Sequence, residues 1–230
     1  MTGGDLKGIS SMATRQILAE LVEAYREKTG RTVTFESVGG VDAARRVRDG
    51  EGFDVVALAS DALEKLEADG HLVAGSRVGF ALSALAVATK ADAGPLTFGD
   101  EAAVREAVRR AATVGYSTGP SGTYLMSLLK RWGLDAEVGP RLRQAPAGVP
   151  VGTMVARGDA EIGFQQTSEL IGVPGIVLAG PLPPTVAHET LFAAAIAGRA
   201  GDRDAAREFL AFLAAPETEA VKRRNGMAPA

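Results

Sequence analysis

The sequence predicts an α/β fold in two lobes, with a ligand cleft between them. Three observations carry this. Helix-period and strand-period segments alternate along the chain, separated by short glycine punctuation. The alternation comes in two runs, each too short to build an independent nucleotide-binding type of domain. Two long apolar strand patterns, near residues 81–88 and 188–197, fall where the chain would cross from one lobe to the other. The expected division is 1–82 with 192–230 for the first lobe and 83–191 for the second.

The first run opens with Ser11 in an N-cap position. Ile17, Leu18, Leu21, Val22 and Tyr25 follow on one helical face, and Gly30 stops the helix. Residues 32–37 are β-branched and aromatic, which predicts a strand, broken by Gly39-Gly40. A short helix over 42–49, a buried strand over 53–58 and a helix over 61–69 come next, closed by Gly50 and Gly70 at their helix ends. A long strand over 77–89 leads to a turn at Gly94-Pro95.

In the second run, Asp100 caps a helix reaching Arg110, and 113–116 is a strand. The chain then reads as a loop over 117–122 and a helix over 123–132, stopped by Gly133. A loop over 145–150, a helix over 151–157 and a strand over 161–165 follow. Residues 191–197 read as a strand, and 208–213 and 217–224 as closing helices that return to the first lobe.

Composition narrows the chemistry. The 230 residues include no Cys, two His and a net charge of -3. Disulfides, Cys-ligated zinc, thiolate catalysis and thiol redox chemistry are excluded. His71 and His188 cannot make a three-His metal site within one chain. No metal and no cofactor is expected. The mildly acidic balance argues against nucleic acid as a partner. The longest apolar run, 80–88, is interrupted by Ser83 and falls short of the roughly 18 residues a membrane span needs. No membrane partner is expected. Residues 1–10 lack a basic stretch followed by an apolar one, so the chain as it stands reads as cytoplasmic, or periplasmic if a leader has been removed.

Ligands in such folds bind at the carboxyl ends of strands, where helix N-termini offer N–H groups to anions. Four loops have that chemistry: 8–11, 37–41, 116–123 and 146–152. They supply Ser10, Ser11, Gly40, Val41, Ser117, Ser121, Gly122, Thr123, Gly148 and Val149 as candidate ligand contacts for a small anion. Arg15 and Arg45 lie one turn into their helices and are candidates to pair with a carboxylate.

The order of segments resembles the molybdate-binding family of type 2 periplasmic solute-binding proteins. The resemblance is carried by Ser10-Ser11, Gly40-Val41-Asp42-Ala43-Ala44-Arg45, Phe53-Asp54-Val55-Val56 and the stretch 115–122. It continues through Arg131-Trp132-Gly133, the stretch 155–164 and Phe209-Leu210-Ala211-Phe212-Leu213. It implies a hinged two-lobed fold holding an oxyanion with hydroxyls and backbone N–H groups. Ser11 keeps the family's hydroxyl, while the second-loop serine position falls on Gly40. Ser121 and Gly148 or Val149 fall where backbone N–H groups are supplied. The family's tyrosine position falls on Gln166, which follows Gln165. A Gln amide both donates and accepts, which suits carboxylates as well as oxyanions.

Within the same superfamily the chain is similar in length and layout to aconitate isomerases. That resemblance implies a cofactor-free isomerase that moves an allylic proton on a polycarboxylate. The alternative is a non-enzymatic receptor for a molybdate-like oxyanion or an organic anion. With no leader in view, a membrane importer is not the expected partner.

A proton shift needs an acid or base within reach of the substrate carbons. Glu36, at the end of a strand, Tyr124, in the first turn after the third loop, and His188 are the candidates. His71 follows a helix and is expected on the opposite edge. Gly115-Tyr116-Ser117-Thr118-Gly119 also matches the nucleophile-elbow pattern of hydrolases, with Ser117 as nucleophile and His188 as base. The elbow requires a helix directly after the serine, and Gly119-Pro120 stands in the way.

Overall fold

The computed structural model describes residues 5–230. Met1–Gly4, part of the stretch read above for a leader, lie outside the described residues. The chain divides into two compact units. One runs through Ser83 and resumes over Leu191–Ala230, and the other is Ala84–Thr190.

The first unit begins with β1 (Leu6–Ser11), a single 3-10 turn and α1 (Arg15–Thr29). Next come β2 (Val33–Val38), α2 (Gly40–Arg48), β3 (Val55–Ala59) and α3 (Ser60–Ala68). The long strand β4 (Val78–Lys90) follows, and it leaves this unit after Ser83. β1 lies between β2 and β3 and is parallel to both. Every residue of β3 is buried, and its side chains alternate between two cores. Val55, Ala57 and Ala59 pack with Ile17, Leu18 and Leu21 of α1. Val56 and Leu58 pack with Ala43 and Val47 of α2 and Leu63 and Leu66 of α3. A strand covered on both faces reads as an unbroken apolar run, as this one does.

Residues 8–11 correct the expectation of a loop: they are the end of β1. Gly8, Ser10 and Ser11 are weak strand formers, but hydrogen-bonded neighbours on both sides outweigh propensity. Ser11 is also not the cap of α1. Its side chain makes no cap hydrogen bond, and Thr14 occupies the N-cap position.

The second unit contains the rest of β4, then α4 (Glu101–Arg110), β5 (Val114–Tyr116), α5 (Pro120–Trp132), α6 (Asp135–Val138) and β6 (Leu142–Gln144). It continues with α7 (Val151–Arg157), β7 (Ile162–Gln166), α8 (Thr167–Leu170) and β8 (Ile176–Leu178). β5 is parallel to β6 and β7, and β4 runs antiparallel to β7 and β8. Asp100 caps α4 as expected, its Oδ1 accepting the Ala103 N–H at 2.9 Å. Val104, Val108, Leu125, Leu128 and Leu129 pack with Val114, Ile162 and Phe164 on one side of the strands. Val151 and Val155 form a smaller core with Ala145 and Ala160.

α5 starts three residues earlier than expected. Pro120 is its first residue, where a preset φ helps and the missing N–H costs nothing. Reading that proline as a break hid the helix start.

The chain returns through β9 (Glu189–Ile196), which pairs antiparallel with β3 in its later part. α9 (Arg203–Ala214), α10 (Glu219–Arg224) and β10 (Ala228–Pro229) complete the first unit. α9 begins at Arg203 rather than 208 because Asp202 caps it, accepting the Ala205 N–H at 2.9 Å. Phe209 of α9 meets Tyr25 of α1 edge to face, with ring centres 5.1 Å apart.

Candidate functional site

In the first unit the candidate residues gather at the carboxyl ends of β1 and β2. The Ser10 and Ser37 hydroxyls are hydrogen-bonded at 2.8 Å, which ties the two strand ends together. Ser11 is buried, and its Oγ has no hydrogen-bond partner. Gly40 is the first residue of α2, and a Cβ placed on it would lie 3.7 Å from the Ser11 Cβ. Val41 is 65% exposed. Arg15, the first residue of α1, is exposed.

Two candidates of this unit are engaged by neighbouring charges. Arg45 is occupied by its own helix, paired with Asp42 at 2.5 Å and Asp49 at 2.8 Å. Glu36 is an exposed carboxylate clamped by Arg46, with contacts of 2.5 and 2.8 Å. The Arg46 hydrogen bonds hold the Glu36 carboxyl below its ordinary range. A paired, acidified carboxylate is a poor proton acceptor near neutral pH. His71 lies beyond the end of α3, where its backbone exchanges hydrogen bonds with Leu66 and Gly198.

In the second unit, Ser121 and Gly122 are buried in the first turn of α5. Gly122 is there because its backbone touches Ser117: a Cβ would fall 1.7 Å from the Ser117 carbonyl oxygen. The Ser117 Oγ accepts the Gly119 N–H at 3.3 Å and lies 3.3 Å from the Ser121 Oγ. No helix follows Ser117 directly, since α5 starts at Pro120. Ser117 is therefore a turn residue and not a nucleophile on an elbow. The Thr123 hydroxyl donates to the Gly119 carbonyl at 3.4 Å.

The stretch before α7 is a turn, as expected. Gly148 adopts a φ of 75°, a conformation that favours glycine, and it closes a turn in which the Val149 N–H donates to Pro146 at 3.0 Å. That N–H is spent on the protein itself. Gln165 is spent as well. Its Oε1 accepts the Val151 N–H at 2.8 Å and its Nε2 donates to Glu169 Oε1 at 2.8 Å. Gln165 thus fills the start of α7 with an acceptor of its own. Desolvation pushes the Glu169 carboxyl up to about 7, against the opposing pull of the Gln165 hydrogen bond.

Gln166, at the end of β7, is different. Its Nε2 donates to the Thr190 Oγ1 at 2.8 Å, yet its Oε1 is buried without a partner. Beside it, the backbone N–H of Leu85 donates to the His188 carbonyl at 2.8 Å, and Leu85 is the register partner of Gln166. The His188 ring lies face to face with Tyr124, 4.1 Å away and 10° from parallel. Tyr124, His188, Gln166 and Thr190 thus form one polar cluster inside the second unit. Sequence reasoning missed Thr190 and Glu169. Thr190 lies near the start of β9 and Glu169 on α8 just beyond β7, so tertiary packing and not a periodic spacing brings them to Gln166 and Gln165.

Among the described residues no group of three or more His, Asp or Glu could hold a metal ion, and no helix is long and apolar enough to cross a membrane.

Comparison with known proteins agrees with this layout. Residues 6–228 match the family described as bacterial extracellular solute-binding protein. An aconitate isomerase from Pseudomonas sp is 34% identical over 227 residues, covering 96% of this chain and 86% of that sequence. The molybdate-binding protein ModA of Azotobacter vinelandii is 27% identical over 217 residues, covering 89% and 82%. Among solved structures, the Azotobacter vinelandii periplasmic molybdate-binding protein superposes with a TM-score of 0.80 at 21% identity, covering 97% of this chain and 98% of that one. The fold is that of periplasmic binding proteins, and the chain belongs to the bacterial extracellular solute-binding protein family.

Proposed function

We propose that the protein binds a small organic polycarboxylate and isomerises it by an allylic proton shift. The observation that carries this is Gln166. Its amide head is buried, and only one end is used, on Thr190. A buried polar atom without a partner costs about 1–3 kcal/mol, which a bound ligand recovers. The Thr190 hydroxyl both donates and accepts, so the amide can turn and present either its N–H2 or its carbonyl. An ionised polycarboxylate offers only acceptors and takes the N–H2 end, as an oxyanion does, so the amide supports an anionic ligand and the choice between the two rests on the relatives. The 34% identity to an aconitate isomerase supports the reading and makes aconitate the first substrate to try.

A receptor for a molybdate-like oxyanion is the second reading. It is favoured by the 27% identity to a molybdate-binding protein and by the hydroxyl retained at Ser11.

A thermal-shift comparison separates the two. A ligand present at one hundred times its dissociation constant stabilises a fold by about 2.7 kcal/mol. Stabilisation by cis-aconitate or tricarballylate is expected. Stabilisation by molybdate or tungstate and by no carboxylate would overturn the first reading.

A further inference from the structure

We propose that His188, held face to face against Tyr124, is the catalytic residue that takes and returns the proton in this isomerisation. The assignment rests on the isomerase reading above and adds the residue that does the chemistry.

Position comes first. Leu85 pairs with Gln166 across β4 and β7, and the Leu85 N–H donates to the His188 carbonyl at 2.8 Å. His188 therefore sits beside the carboxyl end of β7, the edge at which such sheets take ligands. Gln166 and Phe164 are two apart on β7 and so face the same side, where Phe164 packs with Leu125 and Leu128 of α5. Tyr124 of α5 packs against that same cluster and stacks on His188 at 4.1 Å, so the imidazole meets α5 on the side that the Gln166 head faces. The stack fixes the plane of the imidazole and leaves its nitrogen edge as the reactive part.

Elimination agrees. The two imidazole nitrogens can accept and donate a proton, as the step requires. Glu36 is clamped by Arg46, and Glu169 is bonded to Gln165. Glu189 is exposed and, beside Thr190 on β9, alternates to the opposite side from it. Tyr124 acts through His188 and is a positioning residue.

The step balances within the substrate. His188 removes a proton from the methylene next to the carbon–carbon double bond. The C–H electron pair forms a new double bond to the central carbon, and the old double-bond pair moves to the far carbon. The imidazolium returns its proton there, so no oxidant, reductant or co-reactant is needed.

The test uses His188→Gln and His188→Asn, with His71→Gln as the control for loss of a histidine outside the site. Conversion of cis-aconitate is followed from pH 5 to 9, and melting temperature is recorded with and without the substrate. General acid–base groups contribute about 100- to 10,000-fold. The expected result for both His188 variants is a kcat loss of at least about 100-fold, with the ligand-induced melting shift retained. His71→Gln, which changes a histidine beyond the end of α3, should retain the wild-type rate and pH profile. Wild-type turnover with His188 variants within threefold of it would overturn the assignment while leaving the isomerase reading intact. A wild-type protein that converts no aconitate would overturn that reading and this assignment with it.

Discussion

The Gln165 side chain accepts the Val151 N–H at 2.8 Å and so occupies the first turn of α7 from within. Its other end donates to Glu169, whose carboxyl desolvation raises to about 7. An ionised carboxylate here would repel an anionic ligand, and desolvation favours its neutral form.

The sign of the stability effect follows. Below about pH 4.5 Glu169 is protonated in both folded and unfolded chains. Between 4.5 and about 7 the unfolded chain ionises first, so stability falls as pH rises, and above that the penalty is constant. Glu169→Gln keeps an acceptor for Gln165 and removes the titration. Its melting temperature should gain on the wild type steadily from pH 4.5 to 7. Melting profiles that run parallel across that range would contradict this origin of the shift.

Gly122 approaches the Ser117 carbonyl too closely for any side chain, with 1.7 Å left for a Cβ. Gly122→Ala must push the 117–121 turn off the start of α5. Overpacking of this kind costs about 1–3 kcal/mol. Denaturant unfolding should show a loss of at least that size, together with weaker ligand stabilisation.

Ser11 gives a test in which stability and binding move in opposite senses. Its hydroxyl is buried without a partner, so Ser11→Ala removes an unpaired polar group. The ligand-free melting temperature should hold or rise, while the shift produced by ligand falls. A drop in ligand-free stability of more than about 1 kcal/mol would assign the hydroxyl a structural bond instead.

Gly40 tests specificity. A Cβ fits there at ordinary contact distance from Ser11. Gly40→Ser should fold normally and add a hydroxyl at the position where the resemblance to the molybdate-binding family implies a serine. A hydrogen bond to a charged group is worth about 1.5–3 kcal/mol, so molybdate affinity should rise tenfold or more relative to a carboxylate. Calorimetric titration with both anions measures the ratio.

Much of the fold was legible in the sequence because its cues are local. Leu63 and Leu66 mark a helix face, 53–58 an apolar run, and Asp100 a cap that the structure contains. β1 was hidden because its Gly and Ser residues become a strand only through pairing on both sides. The site was legible at the level of loops, not of atoms. Gln165 and Gln166 are adjacent and identical in type, yet one is consumed by Val151 and Glu169 and the other keeps a buried free end. Alternation on β7 sends them to opposite faces, and only the neighbours there decide which is available. The ion pairs of Arg45 and Glu36 were hidden for a related reason: the partners were in view, but nothing in the sequence forced the pairing.

The central claim is best tested by incubating the protein with cis-aconitate and following the proton NMR spectrum. The account predicts growth of trans-aconitate signals in proportion to protein concentration, until the two isomers reach equilibrium. Unchanged cis-aconitate, in the presence of protein whose melting temperature rises with molybdate or tungstate alone, would contradict it.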